Sequence, residues 1–131
     1  MRNKFLHAAI TKAILESFFT VNKTLSRGLP TDAYRNALAI ELEWSDLKVE
    51  KNYSVSLKYR DAKIGDLYAD FLIDKNVLVK VVSVDSINKQ IEDEAKLLLR
   101  SSEYEVCLVL NSSGDNDYKR IILTNDYKKP K

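Results

Sequence analysis

The sequence predicts an α/β domain in which helices pack on a mixed β-sheet, and three stretches carry that prediction. Tyr53 to Tyr59 alternates, with Tyr53, Val55, Leu57 and Tyr59 on one face and Ser54, Ser56 and Lys58 on the other, the period of a strand with one wet side. Val77 to Val84 is almost wholly apolar and β-branched, which suits a central strand. An amphipathic helix lies between that run and the apolar strand Glu105 to Leu110. The strand-helix-strand order implies a right-handed crossover that sets the two strands parallel.

The other elements follow in order. From Phe5 to Leu25 the residues Leu6, Ile10, Ile14, Phe18 and Val21 recur at helical spacing, with Lys12, Glu16 and Lys23 on the opposite side, so a long first helix buries one stripe. Gly28 and Pro30 break it, and Thr31 or Asp32 can cap a second helix that carries Tyr34, Ala37, Leu38 and Leu42 to about Trp44. Arg60 to Lys63 is the turn after the alternating strand, and an extended run from about Gly65 to Ile73 then meets Val77 to Val84 across Asp74-Lys75-Asn76. Asp85 or Ser86 can cap the third helix, which holds Ile87, Ile91, Ala95 and Leu98, with acidic residues early and Lys96 and Arg100 late, as the helix dipole favours. Asn111 to Asp117 is a polar loop, Tyr118 to Thr124 a last strand, and Asn125 to Lys131 a flexible tail. No repeat, heptad or linker divides the chain, so residues 1–131 are expected to form one domain.

Composition narrows the function more by exclusion than by indication. With 131 residues, 45% hydrophobic and 31% charged, three glycines and two prolines, the chain has the balance of a folded soluble protein. It has no apolar stretch long enough to span a bilayer and no signal-peptide core after Met1-Arg2-Asn3-Lys4, so we expect a cytoplasmic protein without a membrane partner. Cys107 is the single cysteine and lies within an apolar run, which makes it a buried structural thiol. A formal charge of +2 is too mild to argue for nucleic-acid binding by itself. His7 has no second histidine or cysteine beside it, hence no zinc pattern, and the scattered Gly28, Gly65 and Gly114 spell no phosphate loop. No cofactor is expected.

Gly28-Leu29 followed by Tyr34 to Leu42, then Ala69-Asp70-Phe71-Leu72-Ile73, Val106 to Asn111 and Lys119 to Leu123, come in an order and spacing that resemble the GxxExxxR proteins. These are small bacterial and archaeal proteins assigned to the PD-(D/E)xK nuclease superfamily. The likeness runs from about Ile10 to Thr124. It implies a restriction-endonuclease-like fold: a four-stranded mixed core sheet flanked by helices, an active site on a β-hairpin, and an acidic residue supplied by a preceding helix. It also implies what this chain lacks. Gly28 and Arg35 match the eponymous motif, but Thr31 stands at its glutamate. Asp70 matches the first aspartate of the nuclease motif, whereas Lys80 and Val82 replace the glutamate and lysine of the next strand, and Lys96 aligns with the glutamine of the following helix.

Those replacements are chemically severe. Nucleases of this superfamily use Mg²⁺, which takes oxygen ligands, and Asp70 alone is a poor site. A hairpin centred on Lys75 sets Lys80 opposite Asp70, where two unit charges about 4 Å apart interact by roughly 4 kcal/mol at an effective dielectric of 20. A divalent ion would meet about twice that in repulsion. We therefore expect an ion pair between Lys80 and Asp70 in the place of a metal, the alternative being a Lys80 that snorkels to water. Val82 can neither stabilise charge on a phosphate nor orient water. No catalytic residue and no metal ligand is assigned.

The leading expectation is thus a catalytically inactive nuclease-like domain acting as an interaction module, through a protein partner, a homo-oligomer or weak nucleic-acid binding. Arg35, Lys80, Lys96, Lys119 and Arg120 are the candidates for phosphate contact. The competing expectation is an active Mg²⁺-dependent nuclease whose metal site has migrated to Asp70, Asp85 and a helical carboxylate such as Glu41 or Asp32.

Overall fold

The structure, a computed structural model, describes residues 6–25, 28–113 and 116–128. Two helices come first, α1 (Ala8–Thr24) and α2 (Thr31–Trp44), followed by strands β1 (Val49–Tyr59), β2 (Ala62–Ile73) and β3 (Val77–Val82). Helix α3 (Lys89–Arg100), β4 (Val106–Asn111), β5 (Tyr118–Ile122) and a 3₁₀ turn at Asn125–Tyr127 complete the chain. The strands form one mixed sheet in the order β1-β2-β3-β4-β5. Only β3 and β4 run parallel, as the crossover through α3 requires. The sheet has one strand more than the four-stranded core that the resemblance implied.

Each face of the sheet owns a core. On one side Ile14, Phe18 and Val21 of α1 and Tyr34, Leu38 and Leu42 of α2 close over Phe71, Ile73, Val77, Val79 and Val81, with Val106, Leu108 and Leu110 beyond them. On the other, Ala95, Leu98 and Leu99 of α3 cover Leu72, Leu78, Cys107 and Val109. β4 is buried along its whole length because helices lie on both faces, so its sequence is continuous rather than alternating. Cys107 is fully buried, and burial pushes its thiol up to about 12. No described helix is long and apolar enough to cross a membrane.

Element boundaries depart from expectation where turn geometry wins over periodicity. Pro30, not Thr31 or Asp32, precedes the first turn of α2. Helix α3 starts at Lys89 rather than near Asp85, because Asn88 caps it by accepting a hydrogen bond from the Ile91 N–H at 3.0 Å. Arg60 and Asp61 alone make the β1–β2 turn, both left-handed (φ 49° and 66°) as a two-residue hairpin turn demands, so Ala62 and Lys63 already belong to β2. Part of the expected flexible tail is tied down: the Asn125 N–H donates to Glu105 and the Lys128 ammonium donates to the carbonyls of Ser102 and Tyr104.

β1 begins four residues before the alternating stretch because Asn52, left-handed at φ 52°, interrupts the period. Lys51 still pairs with Phe71 and Tyr53 with Ala69, while Asn52 and Asp70 between them do not pair. Phe71 and Ala69 are two residues apart and would ordinarily share a face. They lie instead in opposite cores, so the pleat reverses at Asp70. From there outward β2 leaves β3, to which it is bonded only at Phe71, Leu72 and Ile73, and continues with β1 as a two-stranded arm.

Candidate functional site

The β2–β3 hairpin has the expected centre: Ile73 pairs with Val77, Leu72 with Leu78 and Phe71 with Val79. Its ladder stops one step short of Asp70 and Lys80, and that decides the chemistry of the site. With no backbone acceptor from β2 at this level, the Val81 N–H donates to Oδ2 of Asp70 at 2.6 Å. Oδ1 accepts from Nε of Arg35 at 2.7 Å. The same guanidinium donates through Nη1 to Asp32 at 2.9 Å, so one arginine of α2 bridges two carboxylates. The Asp70 side chain is only 12% exposed, which makes these partners necessary rather than decorative.

The expected ion pair between Lys80 and Asp70 is therefore absent among the described residues, and Arg35 holds the carboxylate instead. The Lys80 ammonium donates to the carbonyl of Tyr68 at 3.2 Å, a group exposed where β2 and β3 part. The reason lies in the backbone: direct opposition across a hairpin holds only while the ladder is closed. A cation does occupy the place beside Asp70, but it comes from the helix and not from the neighbouring strand. Arg35, Asn36, Lys51, Asn52 and Asp70 line a shallow cleft of about 280 Å³ there.

The remaining motif positions surround this point without completing a site. Thr31 opens α2, one turn before Arg35. Val82 packs into the core under α3, and Lys96 is exposed on that helix. Among the described residues no group of three or more His, Cys, Asp or Glu side chains could hold a metal, so Asp85 and Glu41 do not gather with Asp70.

The five cations proposed for phosphate contact do not form one patch. Arg35 is paired with Asp32 and Asp70, and Lys119 reaches Glu92 of α3 at 3.5 Å. Arg120 points to the opposite side of β5, where it donates to the carbonyl of Leu6.

A region that sequence reasoning passed over lies at the carboxyl ends of the parallel strands. Asn111, fully buried, accepts from the N–H groups of Val84 and Ser113 and donates to the Val84 carbonyl and to Asp117, tying the loops after β3 and β4 together. Nearby a cavity of about 450 Å³ is lined by Asn22, Tyr34, Ser83, Ser112 and Asn116, with the Tyr34 hydroxyl donating to Asn22. Burial raises the pKa of Tyr34 above its ordinary value. The signal was available: polar residues just beyond parallel strands mark the crevice of an open sheet. Asp70, Lys80 and Val82 do not line it, and no carboxylate is among its described lining residues.

The family model for the PD-(D/E)XK nuclease superfamily matches residues 8–121, and the chain belongs to that superfamily. The five-stranded mixed sheet with three helices agrees with that fold. No curated protein matches the chain, and no solved structure does.

Proposed function

We propose that this is a nuclease fold that has given up hydrolysis and works by binding. The observation that carries the reading is the occupation of Asp70: both carboxylate oxygens are taken, one by Arg35 and one by the Val81 N–H. A Mg²⁺ ion would have to displace a guanidinium at 2.7 Å and would find Lys80 and Val82 where a second carboxylate and a charge-stabilising lysine are needed. Within the superfamily we assign the chain to the GxxExxxR group. In that reading Gly28, left-handed at φ 88°, lies within the α1–α2 connection, and Arg35 is the motif arginine that locks Asp70. Residues 1–131 act as one unit, and the binding partner is a macromolecule.

The test is calorimetric titration with Mg²⁺ and Mn²⁺, paired with incubation of single- and double-stranded DNA and RNA in either ion. We expect no saturable heat at millimolar metal and no cleavage. EDTA-sensitive cleavage that Asp70→Asn abolishes would overturn the proposal in favour of the active enzyme.

A further inference from the structure

We infer that the outer edge of β1 is a dimer interface, at which two copies of the chain join their β1 strands antiparallel about a two-fold axis through Ser56. The inference rests on the reading of the domain as a binding module and names one partner, a second copy. Among the described residues β1 pairs with β2 alone, so one row of its backbone N–H and C=O groups meets no partner strand. Edges of this kind are normally kept short, charged or interrupted. β1 is protected in that way at one end only, by Lys51 and the left-handed Asn52. The stretch from Tyr53 to Tyr59 has no proline, no glycine and a single charge, Lys58.

The arm also lacks cover. Beyond Asp70 it is a two-stranded ribbon, which is marginal by itself in water. At its base Val55, Leu67 and Ala69 join the core under α3. Leu57 and Tyr59 continue the same face of β1 toward the tip, yet Leu57 is only half-buried and Tyr59 is 63% exposed. A second ribbon placed edge to edge makes four strands and carries the apolar face past Leu57 and Tyr59.

The sequence of the edge selects the partner. In an antiparallel pair every second residue turns its backbone groups to the free edge, so a two-fold axis must pass through a residue and not between two. Placed at Ser56, it pairs Tyr53 with Tyr59, Ser54 with Lys58, Val55 with Leu57 and Ser56 with itself. Apolar and aromatic side chains then meet only each other, and Lys58 meets a serine. An axis at any other residue leaves part of the stretch unpaired, and one at Lys58 opposes two ammonium groups. Centred on Ser56, Tyr59 lies beside Tyr53 of the second copy, whose ring meets Tyr104 edge to face at 5.7 Å, so the exposed ring enters an aromatic cluster.

The opposite edge of the sheet stops the assembly at two. β5 is short, Tyr118–Ile122, and an axis at its centre sets Arg120 against its own copy with Lys119 alongside. Once the β1 edges are joined, only these self-repelling edges remain, which gives a closed pair rather than a filament. One strand pair is small for a specific interface, below about 1,200 Å² in all, so the dimer is reversible with a Kd of about 10–100 µM.

The test is sedimentation velocity of the full chain from about 1 to 500 µM, together with cysteine cross-linking. We expect the mass to rise from one chain to two and no further. Ser56→Cys should form a disulfide dimer on mild oxidation, because directly opposed residues lie about 5 Å apart. Ser54→Cys should not, since in this register it stands about 14 Å from its copy, and Cys107 is fully buried. Ser56→Lys should weaken the dimer about tenfold or more. Its ammonium faces Asp66 within the chain and its own copy across the axis, so the thermal midpoint of the dilute monomer should hold or rise. The inference is overturned by a single-chain mass at every concentration, by growth beyond two chains, by Ser54→Cys cross-linking as readily as Ser56→Cys, or by Ser56→Lys associating like the parent. Cleavage in Mg²⁺ would sink the proposed function whatever the mass, whereas these outcomes would sink only the β1 interface.

Discussion

Asp70 and Lys58 sit on the same pair of strands, yet the protein treats their charges in opposite ways. At Asp70 the carboxylate is mostly buried and every partner is internal: a guanidinium from α2 and an N–H from β3. At Lys58 the charge is exposed and faces another lysine across the ribbon, Lys63, which is itself paired with Asp66 at 3.0 Å. The difference shows where stability is gained and lost. Charges satisfied within the fold support stability, and like charges left opposed on a strand pair subtract from it.

The largest expected effect breaks the first half of that comparison. Asp70→Ala removes the acceptor for Arg35 and for the Val81 N–H where β2 and β3 separate, and should cost about 3 kcal/mol in urea unfolding. Arg35→Met should cost about as much, because it strands a carboxylate that is 12% exposed. The double variant should fall short of the sum by at least about 1 kcal/mol. Strict additivity would mean that the pair is incidental.

A smaller effect sharpens the contrast between the two cations near Asp70. Lys80 donates to one carbonyl and has a half-buried stem, so Lys80→Met should change stability by less than about 1 kcal/mol. Combined with Asp70→Ala it should show coupling within about 0.5 kcal/mol of zero, unlike Arg35. Coupling as large as that of Arg35 would restore Lys80 as the cation that replaces a metal.

Much of the fold was legible because its signals are local. The stripe Ile14, Phe18, Val21 and the apolar runs of β3 and β4 state their burial in their own spacing. The centre of the β2–β3 hairpin was legible for the same reason, since Asp74-Lys75-Asn76 is turn chemistry. The site was legible only in its residues. Asp70, Arg35 and Lys80 could each be named, but which cation would meet Asp70 depended on the ladder opening at Asn52 and Asp70, and no period in the sequence announces that a pleat reverses. The arm stayed hidden because the alternation of Tyr53 to Tyr59 describes a strand and says nothing of how far its partner stays bonded to β3.

The smallest predicted effect has the most diagnostic sign. Surface substitutions away from special features usually change stability little, and replacing a lysine by glutamate in a strand is, on propensity alone, neutral to slightly unfavourable. Lys58→Glu should nonetheless stabilise the protein by about 0.2–1 kcal/mol at low salt, because it turns an opposed lysine pair into an opposite-charge cross-strand pair with Lys63. The gain should shrink as salt screens exposed charges, and it should vanish in a Lys63→Ala background, where there is no cation left to meet. A thermal midpoint that rises in the first variant, falls back toward the parent with added salt, and does not move in the second background would place strain between Lys58 and Lys63 in the free protein. A midpoint that drops, or a rise that persists without Lys63, would mean that the two lysines are already accommodated, with Asp66 compensating Lys63.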